Sequence, residues 1–199
     1  MSSMPHIVQA VLQYFIVPLW ILAGTADWAC HRYTGIERNA GTRESIFHLI
    51  MLAQVGVPVC AALFLEINAL VIALIIVALV AHQLTALFDL RYTVNRRFIG
   101  PFEQQVHSFL ELMPMVAGLL LVILHWPQFL SLFGRGDEAP DFALRAKQHP
   151  LSAAYVTGVL SAVVLLDLAP YLEEFWRCRR SESNLNPTRE GHRTWYPRT

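Results

Sequence analysis

The 199 residues are 55% hydrophobic and only 15% charged, with a mean hydropathy of +0.42 and a formal net charge of zero. Soluble domains average about 25% charged residues, so this composition excludes an ordinary soluble globule, and the balanced charge excludes a basic nucleic-acid-binding surface. Cys30, Cys60 and Cys178 have no metal-site spacing and make no disulfide framework.

About 20 apolar residues cross the hydrocarbon layer as a helix, and five stretches meet that need. The first runs from about Ile7 to Cys30 and closes on Asp27 and His31, with Pro18 and Gly24 inside it. No Lys or Arg precedes it in MSSMPHIVQA, so the basic region of a cleavable signal is missing and the segment is expected to be retained. A polar link, RYTGIERNAGTR, leads to the second segment, Arg43 to Leu65, with Thr42 as its expected cap. Glu44 and His48 occupy the first two turns of this segment, with Gln54 and Pro58 deeper. Glu66, Ile67 and Asn68 form a tight connection to the third segment, Asn68 to Leu90, which is featureless until His82, Gln83, Thr85 and Asp89.

After the basic link RYTVNRRFIG, the fourth segment opens at Pro101 and sets Glu103, His107 and Glu111 four residues apart before running to Trp126. Pro58 and Pro114 are expected to bend their helices and open a cavity. Residues 131–150 read as a polar link with a short surface helix in DFALRAKQ. The fifth segment, Leu151 to Leu172, carries one odd acid, Asp167, and is followed by Glu173 and Glu174. Residues 1–176 then form one transmembrane metal-binding domain, and residues 177–199 a basic, partly disordered cytoplasmic tail.

The expected architecture is an all-α integral membrane bundle of five transmembrane helices. Arg32, Arg38, Arg43, Arg91, Arg96, Arg97 and six tail arginines lie on one side, against Arg135, Arg145 and Lys147 on the other, which is twelve against three. Positive charge stays inside, so the N-terminus is expected outside and the C-terminus in the cytoplasm, in a bacterial inner membrane. Arg91, Arg96 and Arg97 are accounted for by this rule and by lipid phosphate. His125 and Trp126 read as an interfacial anchor on the outer side.

This topology gathers the ionisable residues of the first four segments, and Asp167, at the cytoplasmic face. Residues four apart are turned by about 40° on a helix and those seven apart by about 20°, so each acid/histidine set shares a face. Ionisable groups in a membrane are expensive and functional by default. Divalent metal resolves the cost, because it pairs with carboxylate and neutral imidazole together. The expected ligands are Asp27, His31, Glu44, His48, His82, Asp89, Glu103, His107 and Glu111. Glu103 doubles as a group that orients an imidazole. So many oxygen and nitrogen donors, without thiolate, exceed the needs of one zinc and suit two iron ions. Glu44 and Glu111 are the candidate catalytic carboxylates, able to bridge the ions or accept a proton.

The chemistry resembles that of carboxylate di-iron bundles, although their Glu-x-x-His spacing is replaced here by Asp-x-x-x-His and Glu-x-x-x-His. The functional expectation is a membrane di-iron oxidoreductase acting on a lipid or other hydrophobic substrate, hydroxylating or desaturating it with electrons from an external donor. The alternatives are a zinc-dependent membrane hydrolase and a haem electron-transfer protein with axial ligands among His48, His82 and His107. Membrane lipids are the other expected partners, and nucleic acid is not one.

Overall fold

The computed structural model describes residues 3–185. Five of its helices are long and apolar enough to cross a membrane: α1 (Met4–Thr34), α2 (Gly41–Phe64), α3 (Ala69–Thr93), α4 (Pro101–Leu124) and α6 (Ala153–Leu185). A short helix, α5 (Trp126–Ser131), follows α4. Helix α1 packs on α4, α2 on α3 and α6, and α3 on α4. Large apolar side chains such as Val77, Leu119 and Leu165 face outward, more than half exposed, as a lipid-facing surface requires.

Local chemistry sets the helix ends. Gly35 adopts a left-handed conformation (φ 68°) and its N–H closes α1 on the His31 carbonyl. Asn68 caps α3 by accepting from the Val71 N–H, and Ser152 caps α6 by accepting from that of Tyr155. Pro101 occupies the first turn of α4, where no N–H is needed. Thr42 is not the cap of α2. The Thr42 N–H instead donates to Glu182 Oε1 at 3.0 Å, so an acid from α6 satisfies the positive end of α2. Gly41 permits this approach, since a Cβ there would lie 2.8 Å from that oxygen.

Two π-helical turns, Leu12–Ile16 in α1 and Val164–Leu168 in α6, each widen their helix by a residue. The opposite helix supplies a hydroxyl to each. Tyr155 Oη donates to the Gln13 carbonyl at 3.2 Å, and Thr25 Oγ1 donates to that of Leu166 at 3.1 Å. Helices α1 and α6 are thus stitched at two levels.

Two stretches depart from the sequence pattern. Helix α6 runs past Leu172 to Leu185, so residues 177–185 of the expected tail are helical; the rest of that tail lies outside the described residues. The DFALRAKQ stretch is extended rather than helical. Its backbone pairs with the α2–α3 connection through Glu66 N to Arg145 O and Lys147 N to Phe64 O, both 2.9 Å. Lys147 Nζ also donates to the Ala62 and Leu65 carbonyls at 2.7 and 2.9 Å, capping the end of α2. Unpaired carbonyls at that helix end reward extended backbone over a new helix.

The interior is layered. At the α2–α3 turn the core is Ala61, Ile67, Val71, Ile72, Ile75 and Val122. Midway it is Ile16, Trp20, Ile21, Val55 and Met113. At the far end Ile36, Ala40 and Cys178 close over a buried polar layer.

Candidate metal centre

The polar layer takes residues from all five long helices. Asp27 and His31 come from the last turns of α1, Glu44 and His48 from the first turns of α2, and Asp89 from the end of α3. Glu103 and His107 come from the start of α4, and Glu174 from α6. Asp27, His31, Glu44, His48, Asp89, Glu103 and Glu174 are all buried.

Glu174 organises the layer. The His31 and His48 rings stack at 4.4 Å and 13°. Glu174 Oε2 lies 3.0 Å from His31 Nδ1, and Oε1 lies 3.1 Å from His48 Nδ1. A carboxylate accepts, so the proton is assigned to Nδ1 on each ring and Nε2 carries a lone pair. This is the carboxylate–histidine arrangement that orients metal-binding imidazoles.

Both Nε2 atoms face carboxylate oxygens without making hydrogen bonds. His31 Nε2 is 3.5 Å from Asp27 Oδ1, 3.3 Å from Glu103 Oε1 and 3.9 Å from Glu44 Oε1. His107 Nε2 is 2.8 Å from Asp27 Oδ1 and 4.0 Å from Glu103 Oε1. Asp27 Oδ1 is itself buried with no hydrogen bond. Donors sharing one ion at about 2.0–2.2 Å must lie within about 4.4 Å of each other, and all four of these Asp27, His31, Glu103 and His107 separations do. His31, Glu44 and His48 form a second such group, and His48 Nε2 lies 3.6 Å from Asp89 Oδ2. The residues present therefore fit a metal centre.

Arg97 enters the same layer, beyond its expected role in topology. Its side chain is 3% exposed and grips two acids. Nη2 donates to Glu44 Oε1 at 2.6 Å and to Glu103 Oε1 at 2.5 Å, and Nη1 donates to Glu103 Oε2 at 2.9 Å. Burial alone would lower the pKa of the guanidinium, but Glu103 and Glu44 outweigh it and hold the group above its ordinary value. With the imidazoles neutral, five carboxylates (Asp27, Glu44, Asp89, Glu103, Glu174) against this one guanidinium leave four negative charges, and each protonated histidine removes one. Two divalent ions bound to neutral imidazoles would balance them.

Three expected ligands stand outside both donor groups: Asp89, which approaches His48 at 3.6 Å, and, farther off, His82 and Glu111. His82 precedes Asp89 by seven residues and Glu111 follows His107 by four. At 1.5 Å rise per residue they sit about 10 Å and about 6 Å deeper. Shared helix face does not confer shared depth. Both nevertheless line the cavity next to the centre, and neither His82 nitrogen has a hydrogen-bond partner.

Glu174, Arg97 and Tyr171 were not singled out by spacing. The Tyr171 hydroxyl lies 3.1 Å from Asp27 Oδ2 and 3.2 Å from the Gly24 carbonyl, and fixes the Asp27 carboxylate. Glu173, one residue from Glu174, points the other way and pairs with Arg32 and Arg177 at the surface. Tyr92 donates to the Ala40 carbonyl and lies between the Arg43 and Arg96 guanidiniums, while Tyr33 is fully exposed.

A cavity of about 360 Å³ adjoins the centre. Asp27, His48, Asp89 and His107 form its metal side, and Trp20, Met51, Leu52 and Val55 are among its apolar walls. A second cavity, about 420 Å³, occupies the other half of the bundle and shares Val55 with the first. Lys147 and His125 stand on its wall; burial lowers the pKa of both, and the Lys147 charge adds to the effect on His125. The chain matches no known family, no curated protein and no solved structure.

Proposed function

We propose that this chain is a multi-pass membrane oxidoreductase that holds two iron ions and acts on a hydrophobic substrate. The observation that carries the reading is the pair of rings held through Nδ1 by Glu174, with both Nε2 atoms turned toward carboxylates they do not hydrogen-bond. Unprotonated, those nitrogens are free to bind metal; protonated, they would pair with the same carboxylates as a structural ion network.

Asp27, His31, Glu103 and His107 would hold one ion, and Glu44, His48 and Asp89 the other, with His31 at the junction of the two groups. Bound iron supplies oxygen activation; electrons come from an external donor. The chain's own residues set the conditions. Glu174 fixes both imidazoles, and Tyr171 fixes Asp27. Arg97 neutralises part of the acid charge without occupying an imidazole. The apolar walls of the adjoining cavity exclude water and accommodate an alkyl chain. The twelve-to-three basic bias argues that the N-terminus is outside and the centre at the cytoplasmic face.

A second reading rests on the completeness of the first donor group. Two imidazoles and two carboxylates by themselves suit one tetrahedral zinc, which would activate water in a membrane hydrolase. Metal analysis of the purified full chain, beside H31A, H48A and H107A, separates the two. Two irons per chain, lost in the variants, support the oxidoreductase. One zinc that survives growth in ample iron supports the hydrolase, and metal content indifferent to all three substitutions overturns both.

A further inference from the structure

Deeper than the donor groups, the cavity holds a second polar set. Asp167 is 1% exposed, and neither carboxyl oxygen has a hydrogen-bond partner. It projects from the π-helical turn Val164–Leu168 against the backbone of Gly24, where a Cβ would come within 2.4 Å of Oδ1. His82 is 4% exposed, and neither nitrogen makes a well-aligned hydrogen bond, with the Met51 and Leu110 backbone close to the ring. Both side chains, and Glu111, line the same cavity. Seven residues separate Asp167 from Glu174 and His82 from Asp89, so along their own helices the two sit about 10 Å deeper than Glu174 and Asp89.

Buried polar atoms left without partners are costly and call for an explanation. Here they line a ligand-sized space that also has apolar walls, among them Trp20, Met51, Leu52 and Val55. We propose that Asp167 and His82 are a binding subsite for the hydroxyl group of a long-chain amphiphile, and that this amphiphile is the substrate of the metal centre. A hydroxyl both donates and accepts, so it can pair with either residue, and it brings no charge into the membrane. A carboxylate would meet Asp167 and Glu111, and a plain hydrocarbon would leave both subsite residues unpaired. With the hydroxyl anchored there, the rest of the chain lies along the cavity that Asp27, His48 and His107 also line. The identity of the reacting carbon rests on the metal reading; the subsite does not.

The test uses the full chain in lipid nanodiscs and a long-chain alcohol carrying a mid-chain diazirine, beside the matching alkane and amine. Photolabelling of the peptide containing Met51 and Leu52 is expected to be at least about tenfold stronger with the alcohol, the discrimination one unmatched buried hydrogen bond provides. D167L and H82L remove the preference while metal content stays at the wild-type value, and D167N, which retains hydrogen-bonding atoms, keeps it. Equal labelling by alkane or amine, or a preference unchanged in D167L, overturns the proposal. Metal bound without alcohol preference defeats the subsite alone; alcohol preference in a chain that binds no metal sustains the subsite and defeats the oxidoreductase.

Discussion

Glu174→Gln is the sharpest perturbation of the proposed centre, because one carboxylate serves two rings. Its two oxygens lie 3.0 and 3.1 Å from His31 Nδ1 and His48 Nδ1. A glutamine of the same size offers one accepting oxygen and one N–H₂ group. One ring keeps its acceptor; the other meets a donor and loses both its orientation and its tautomer. Loss of such a support lowers metal affinity about 10–100-fold, or roughly 1.4–2.8 kcal/mol. Anaerobic titration of metal-free protein with ferrous iron, against a competing chelator, measures this directly. Glu173→Gln is the control, since Glu173 is 42% exposed and its pair with Arg32 contributes about 0–1 kcal/mol to stability and nothing to the centre. An affinity for E174Q indistinguishable from wild type, or an equal loss in E173Q, would refute the argument.

Other substitutions probe the remaining parts. Arg97→Met strands Glu44 and Glu103, which costs about 3–5 kcal/mol in the metal-free protein; added metal should recover more melting temperature in R97M than in wild type, and an equal gain would show that Arg97 and metal do not share these acids. Gly24→Ala drives a Cβ to 2.4 Å from Asp167 Oδ1 and should cost about 1–3 kcal/mol, relieved when Asp167→Ala is added; additive losses in the double variant would count against that contact. Lys147→Met removes the cap on the Ala62 and Leu65 carbonyls and should lower stability by about 2 kcal/mol in detergent unfolding, with an unchanged midpoint as the contrary result. In a cysteine-free background, a cysteine at Gly136 should react with an impermeant reagent outside the cell and one at Asn95 should not; the reverse would invert the proposed orientation.

The five apolar spans were legible because hydrophobic length is a property of the sequence alone, and the acid/histidine pairs were legible because helical spacing puts them on one face. Depth was harder to read. His82 and Glu111 share faces with Asp89 and His107, yet stand one or two turns further in, and the same apolar surroundings that hid this difference now line a cavity with them. Glu174 was lost where hydropathy falls, in LEEFWRCRR, although its place seven residues after Asp167 and three after Tyr171 puts all three near one face of a continued helix. Arg97 could not be told from Arg91 and Arg96 by composition; only the path of the 94–100 connection folds this one guanidinium inward. The hydroxyls donated into the two π-helical turns have no sequence signature, since Thr25 and Tyr155 are ordinary residues until the opposite helix presents a free carbonyl.

Mössbauer spectroscopy on full-length protein enriched with iron-57, with total iron counted on the same sample, tests the central claim most directly. The account predicts two irons per chain, magnetically coupled and diamagnetic when both are ferric, with the signal lost in parallel from H31A and H107A. A single uncoupled high-spin iron, or a chain that stays free of iron after anaerobic loading, would contradict it.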